Sequence, residues 1–520
     1  MAVPDSASGA KPQQIGRQAI VIVHGQGQQR PMGTIRDFVD TLWRFNPQLG
    51  PIPVDGRPIW IVPDDKGGLY DLQRVTTPDH SGRRTDFFEL YYADLLDETP
   101  IRNLWRWVQR LLWVDPADVT PRMRWPWSMM WLLSLLALGL LFWVLLSIPT
   151  LLHGSWTDAF ASPHAWIAVT AIGVALVVLL LPRFFDGFDW LKAVPVSVVF
   201  AAIVLAFGII YFETPVIWGA AALGYLGYFA WNYLLPLFGD AASYLSAHTE
   251  TVRSRQAVRE RGLRLLRALH DDPQFDRVIV VAHSLGTVLA FDLLQILWHS
   301  VGPTKENPPG PEGLAALQAV ETFATSTPVP WGRAQVDRYQ ALQWAAYHRL
   351  RLQPPRRAAG RAPAKPAGWK ISDFVTFGSP LGNAQFLVAD GRKDFLRMKQ
   401  GRLVPTAPPQ PYDIQIGPGF IDTGRGVTHH AAVFSTVRWT NLYDSFHPLM
   451  PLLGDLISAP VAGAEGFGEG MLDQDVKVMR KGQLGRLFTH DHYWREPNPG
   501  WVPPSPHVTA LRDAVGFDRI

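Results

Sequence analysis

Ser284 stands in a sequence pattern that could make a serine hydroxyl react. From Arg277 to Asp292 the chain reads RVIVVAHSLGTVLAFD: a β-branched run, a serine between the small residues Ala282 and Gly286, and an immediate helical continuation. A serine hydroxyl is a weak nucleophile, and a tight strand-to-helix turn presents it to a base and to the helix N-terminus. The pattern predicts a nucleophile elbow, with Ala282 replacing the first glycine of G-x-S-x-G.

A second motif supplies candidate donors for an oxyanion hole. The apolar run from Gln18 to Val23 is typical of a buried parallel strand, and HGQGQQ follows it. We expect the backbone N–H groups of Gln26 and of Leu285, the residue after the nucleophile, to bind the developing oxyanion. Three neighbouring residues are expected to support the site: His24, Gly25 and Gly286.

A catalytic acid is expected where a later strand ends, because a carboxylate there can reach the imidazole of a catalytic histidine. The run VRWTNLY ends at Asp444, which we predict to be the acid. Asp422 and Asp455 remain weaker alternatives. Ser379, in the GSP turn, is interpreted as a turn or helix-capping residue rather than a second nucleophile.

The general base is expected late in the chain, if the order of the triad is Ser, Asp, His. The segment THDHYW contains His490 and His492, and their spacing alone does not separate them. No carboxylate cluster accompanies this His-x-His pair, so neither a metal site nor any other cofactor is predicted.

Strand signals on both sides of Ser284 favour an α/β fold. The runs at 18–23, 87–92, 277–283, 371–377 and 437–443 alternate with helical patterns, which predicts a doubly wound, mainly parallel sheet. The connections leave from the carboxyl ends of such strands, so the motifs above are expected at one edge of the sheet.

Composition narrows the function classes. The 520 residues include no cysteine, which excludes disulfides, thiolate metal sites and a cysteine nucleophile. A net charge of +3 is too small to indicate nucleic acid as a partner. The chain has 48% apolar residues and 21 tryptophans, which is a high apolar content for a purely soluble protein. This content favours a membrane region.

Four uncharged apolar segments are predicted to cross a bilayer as helices. They are Met129–Pro149, Ala165–Leu181, Val194–Phe212 and Val216–Phe238, each near the ~20 residues that a span requires. Arginines precede the first segment and follow the last, and an arginine and a lysine lie in the loop between the second and third. The positive-inside rule then puts both long segments outside the spans in the cytoplasm and predicts a multi-pass protein of the bacterial inner (plasma) membrane.

The predicted organisation is therefore a catalytic domain with two insertions. A segment before the first span could be an interfacial amphipathic helix or a helix packed on the domain, and the helices at 311–352 could form a lid or plain surface helices. The parts are an N-terminal portion (1–100), the amphipathic segment (101–126), the four-helix transmembrane bundle (127–240), the elbow portion (241–300), the lid-like insertion with a flexible Pro/Ala/Arg loop (301–368) and a C-terminal portion with the acid and histidine (369–520).

Together the motifs resemble the α/β-hydrolase superfamily, specifically its lipase- and esterase-like members. The matched segments are VxxHGxGQQ, AHSLGT, DFVTFGSPL, NLYD and HxxYW, scattered over residues 19–494. The resemblance implies Ser284 as nucleophile, Asp444 as acid and His490 as base. Lipase-like relatives often have a second Asp followed by Pro shortly after the strand, and this chain has His447-Pro448 there.

The predicted function is a membrane-integrated serine hydrolase that cleaves lipid or other lipophilic carboxylic esters through an acyl-enzyme, with membrane lipids as partners and the oligomeric state left open. The alternatives are a thioesterase, amidase or acyltransferase with the same triad, or a non-catalytic membrane scaffold with this fold. A transporter is disfavoured, because the apolar segments contain no charged residue.

Overall fold

The structure is a computed structural model. It describes residues 16–25, 31–67, 72–96, 109–119 except 117, seven residues between 123 and 135, residue 244, and residues 252–303, 308–351, 368–447 except 416 and 423, 453–480, 486, 489–497 and 504–519 except 518. The chain divides into two units, one formed by Met1–Arg124 with Asp240–Ile520 and the other by Trp125–Gly239. The second unit lies almost entirely outside the described residues.

An eight-stranded sheet forms the centre of the first unit, in the order β10-β9-β6-β5-β1-β4-β3-β2. Its strands are β1 (Gly16–Val23), β2 (Trp60–Pro63), β3 (Gln73–Thr76), β4 (Arg83–Leu90), β5 (Arg277–His283), β6 (Ile371–Phe377), β9 (Arg438–Tyr443) and β10 (Leu472–Asp475), while β7 (Ile421–Asp422) and β8 (Val427–Thr428) form a separate pair. The six strands from β10 to β4 are parallel, and β3 and β2 extend that edge antiparallel. The predicted α/β class with a mainly parallel sheet is confirmed.

The uninterrupted apolar runs of the inner strands follow from their place in this sheet. β1 pairs on both sides, with β4 and with β5, and the side chains from Ala19 to Val23 are at most 1% exposed. A central parallel strand is covered on both faces, so it carries no alternation of polar and apolar residues. The same reason accounts for the fully buried β5 and β6.

Helices cover the sheet on both faces. Their bounds are α1 (Gly33–Val39), α2 (Val252–Asp271), α3 (Leu285–Val301), α4 (Pro311–Ser326), α5 (Arg333–Arg351), α6 (Ala384–Leu387), α7 (Arg392–Gln400) and α8 (Pro506–Val515). One apolar core includes residues of α2, α3 and α5, and the other includes residues of α1 and α8. This two-layer covering is the doubly wound arrangement expected for alternating strands and helices.

A buried charge cluster ties β5, β6 and β9 together where these strands begin. Asp373 accepts hydrogen bonds from Arg277 at 2.7 Å, from Arg519 at 3.2 Å and from Arg438. Burial alone would raise the pKa of Asp373, but the three guanidinium groups outweigh it and lower that pKa to about 2. The carboxylate therefore stays ionised, because its charge is paired with these guanidinium groups inside the protein.

The second helix of the predicted lid-like insertion, α5, packs against the sheet. The Tyr339 hydroxyl donates to the carbonyl of Phe434 at 2.9 Å, and the Tyr347 hydroxyl donates to the carbonyl of Asp276 at 2.7 Å. Asp276 immediately precedes β5, so α5 reaches the edge of the sheet opposite Ser284. We assign α4 and α5 a packing role, because their buried face belongs to the main core.

The membrane prediction requires correction. Among the helices of the described residues, none combines the length and the apolar character that a bilayer crossing requires. This finding contradicts the four-helix transmembrane bundle and the multi-pass inner-membrane location, and neither is retained. The four segments themselves lie outside the described residues, apart from three helical residues of the first: Trp131, Ser134 and Leu135. An uncharged apolar segment is expected to avoid water. A membrane span also requires an unbroken helix of about 20 residues, and composition alone does not predict that helix.

Candidate active site

The carboxyl ends of four adjacent parallel strands carry residues of the sequence motifs. His24 follows β1, Ser284 follows β5, Gly378 follows β6 and Asp444 follows β9. The chain passes from β1 to β4 on one side and later to β5 on the other, so the strand order reverses at β1. Ligand sites of open α/β sheets form at such a switch point, outside the carboxyl ends of the strands.

Ser284 occupies a sharp turn between β5 and α3. Its backbone has φ +50° and ψ −129°, a conformation that residues with a side chain rarely adopt, and its N–H donates to the carbonyl of Phe377 at 3.2 Å. A Cβ on Gly286 would lie 2.2 Å from the carbonyl oxygen of His24, so only glycine lets α3 start this close to β1. These are the features of the predicted elbow.

A polar pair under the turn holds the serine backbone. The Thr287 hydroxyl donates to the carbonyl of Ser284 at 2.7 Å and lies 2.8 Å from the hydroxyl of Ser379. The Ser379 hydroxyl also accepts from the N–H of Leu381 at 3.2 Å, which makes it the capping residue of a short 3₁₀ helix. Ser379 therefore has a structural partner on each side, as its interpretation as a cap implies.

His490 lies within hydrogen-bonding distance of the serine. Its Nε2 is 2.8 Å from Oγ of Ser284, and its Nδ1 is 3.0 Å from Oδ2 of Asp455. A carboxylate accepts only, so Nδ1 carries the proton and Nε2 is free to accept the serine proton. Burial tends to lower the pKa of His490, but the charge and hydrogen bond of Asp455 outweigh it and raise the pKa above the usual histidine value.

Asp455 is a fully buried carboxylate with several donors. Besides His490, the Tyr493 hydroxyl donates to its Oδ2 at 2.8 Å and the N–H of Ile457 donates to its Oδ1 at 2.9 Å. Burial would raise the pKa of Asp455, but His490 and these donors hold it well below its usual range. The group is therefore an ionised acceptor that fixes the tautomer of His490.

Asp444, the predicted acid, has other partners. Its Oδ1 accepts from Arg486 at 2.5 Å, and its Oδ2 accepts from the Thr489 hydroxyl at 2.7 Å. Burial raises the pKa of Asp444 to about 6. Asp455, one of the weaker alternatives in the sequence, takes the place expected of Asp444, while Asp444 anchors the segment that carries His490. Asp422, the other alternative, pairs with Arg425.

The loop after β9 explains this exchange of acids. The chain leaves the sheet at Asp444 and returns, so that Asp455 forms a bridge beside Ser445 and its N–H donates to the carbonyl of Asp444 at 3.2 Å. The two carboxylates are thus spatial neighbours although eleven positions separate them in the sequence. A rule that places the acid directly at the strand end cannot detect a loop that folds back on itself.

One of the two predicted oxyanion donors, Leu285, lies among the described residues. Leu285 is the first residue of α3, at the helix end that favours negative charge, whereas Gln26 lies outside the described residues. The ring of His24 stacks on Tyr92 at 4.3 Å, its Nε2 accepts from the N–H of Tyr92 at 3.2 Å, and its Nδ1–H donates to the carbonyl of Gly25 at 2.6 Å. His24 therefore holds the carbonyl of the peptide bond that joins Gly25 to Gln26.

Three side chains of the described residues could in principle share a metal ion, because one ligand atom from each of His283, His490 and Asp491 lies within 4.8 Å of the others. Both ring nitrogens of His490 already bond to Ser284 and Asp455, and Nε2 of His283 bonds to the carbonyl of His490. Because these nitrogen atoms already form hydrogen bonds within the site, we assign no metal ion to the three side chains.

Comparisons of the chain with models of protein families, with curated proteins and with solved structures found no match. The geometry of the site itself is therefore what indicates the function of this chain.

Proposed function

We propose that this chain is a serine hydrolase of the α/β-hydrolase type that cleaves carboxylic esters through an acyl-enzyme. The observation that carries the proposal is the continuous hydrogen-bonded series from Asp455 through His490 to Ser284, with distances of 3.0 and 2.8 Å. Its position on an elbow at the switch point of a parallel sheet supports the same interpretation.

The residues divide the proposed reaction among them, and His490 acts in both of its halves. Oγ of Ser284 attacks the ester carbonyl as Nε2 of His490 takes its proton, and Asp455 stabilises the imidazolium that forms. The backbone N–H of Leu285, with that of Gln26, binds the tetrahedral oxyanion. His490 then protonates the leaving alcohol, and water, activated by the same base, releases the acid from the acyl-enzyme.

A fluorophosphonate probe is expected to label the wild-type chain on Ser284. In this step the serine oxygen forms a bond to phosphorus, fluoride leaves, and His490 accepts the proton. Ser284→Ala is expected to abolish labelling, as read by intact mass and peptide mapping, because it removes the hydroxyl that lies 2.8 Å from Nε2 of His490.

Ser379→Ala is the matched control, because Ser379 is the other buried serine considered for the site and its hydroxyl supports Thr287 instead. It should keep the label. Persistent labelling of Ser284→Ala would move the nucleophile elsewhere, and an unlabelled wild type would favour a non-catalytic protein. A panel of matched ester, thioester and amide substrates separates the alternatives that share the triad, with the ester expected to have the highest kcat/KM.

The pH dependence of kcat/KM for an uncharged ester should have one rising limb. His490 works as a base only when it is neutral, and Asp455 raises its pKa above the usual value of 6.5. Activity is therefore expected to increase with pH through a midpoint above 6.5 and then to level off. Initial rates across this range measure the midpoint. A profile that stays flat from about pH 5 to 8 would contradict His490 as the base.

A further inference from the structure

His283, the residue before the proposed nucleophile, is a buried side chain with no role in the scheme above. It is 3% exposed, and its ring lies 4.8 Å from the ring of His490 and also contacts the rings of Phe377 and Trp494, at 5.3 and 4.8 Å. A polar ring at the end of a central strand requires a hydrogen-bonding reason, because burying an unpaired donor costs free energy.

That reason is a bond to the backbone of the proposed base. Nε2 of His283 lies 2.9 Å from the carbonyl oxygen of His490. Burial first, and then the nearby charge of His490, lower the pKa of His283 to about 3, so the ring is neutral and holds one proton. A carbonyl can only accept, which assigns that proton to Nε2.

Two glycines leave room for this ring. A Cβ on Gly25 would lie 2.7 Å from Nδ1 of His283, and one on Gly378, whose φ is +58°, would lie 3.0 Å from Nε2. The ring is thus enclosed by the turns that follow β1 and β6, next to the elbow that follows β5. It connects these fixed turns to the segment that carries His490.

We propose that His283 is a positioning residue, which holds the backbone of His490 so that its imidazole stays aligned with Ser284; this inference rests on the proposed function. His490 lies in a three-residue 3₁₀ turn, His490–His492, and not on a long helix or strand of the sheet. Asp455 fixes the imidazole at Nδ1, while His283 fixes the carbonyl of the same residue. A misplacement of about 1 Å in such a group can cost about 10²-fold in rate.

His283→Phe keeps an aromatic ring but removes the donor, whereas His283→Gln retains an N–H near the position of Nε2. We expect His283→Phe to lower kcat and the rate constant of fluorophosphonate labelling by about 10²-fold with little change in KM, and His283→Gln to recover most of the loss. His283→Asn, which is too short to reach the carbonyl, should be as slow as His283→Phe. This polar pair keeps the test valid if His283→Phe does not fold.

His429→Phe is the matched control. His429 is also a buried histidine with a pKa lowered by burial to about 4, and its Nε2 lies 2.8 Å from the carbonyl of Gln410. It should lower the thermal midpoint to a similar extent while labelling proceeds at the wild-type rate. Wild-type labelling rates in both His283→Phe and His283→Asn, or an equal loss in His429→Phe, would overturn the proposal. If the wild-type chain itself is not labelled on Ser284, the proposed function fails and the positioning role with it.

Discussion

Ser284→Ala and His490→Ala are each expected to lower kcat by about 10⁶-fold, and the double variant by no more than either single change. The hydroxyl has no means of losing its proton without the base, and the base has nothing to activate without the hydroxyl; their Nε2–Oγ distance of 2.8 Å makes them one functional unit. The activity that remains comes from the oxyanion donors and from substrate binding. Single-turnover rates of the three variants on one ester test this non-additivity.

His492→Ala is the control for the base. His492 shares the short turn with His490, but its Nδ1 has no hydrogen-bond partner among the described residues, and burial together with nearby arginines lowers its pKa to about 4. Its variant should keep kcat within a few-fold of wild type. Multiplied losses in the double variant, or a loss in His492→Ala as large as in His490→Ala, would contradict the assignment.

The elements nearest to the chemistry are also the easiest to predict. The strand at 371–377 has the predicted bounds, and the strand predicted at 437–443 begins one residue later, at Arg438. Continuous apolar runs identify buried parallel strands because both faces of such strands avoid water. The elbow is visible in the sequence because its glycine is required by a close approach: a Cβ on Gly286 would lie 2.2 Å from the carbonyl oxygen of His24 and 2.7 Å from that of Val23.

The acid could not be selected in the same way. Asp444 and Asp455 have the same side chain, and only the return of the loop after β9 decides which of them contacts His490. Tyr493 illustrates the same limit: it belongs to the HxxYW motif, but its hydroxyl bond to Asp455 depends on that loop. Long-range contacts of this kind have no local periodicity to indicate them.

Asp455→Asn is expected to lower kcat by about 10⁴-fold while Ser284 remains in place. An amide at this position can donate to Nδ1 of His490, which would favour the tautomer with the proton on Nε2 and leave the serine without an acceptor. The substitution would also remove the buried negative charge that stabilises the imidazolium. Measured kcat values across the pH range give the size of the loss, and the rising limb should move to lower pH because the group that raises the pKa of His490 is gone.

Asp444→Asn provides the decisive comparison, because Asp444 is an equally buried neighbour whose oxygens contact Arg486 and Thr489 and not the imidazole. Asparagine can still accept from one of these groups and donate to the Thr489 hydroxyl, so the segment that carries His490 keeps most of its anchoring. We expect kcat to fall by less than about 10-fold, with the main cost in thermal stability from an arginine left without its carboxylate. If Asp444→Asn proved the more damaging of the two changes, the carboxylate that serves His490 during turnover would be Asp444, and the loop after β9 would have to rearrange for the reaction.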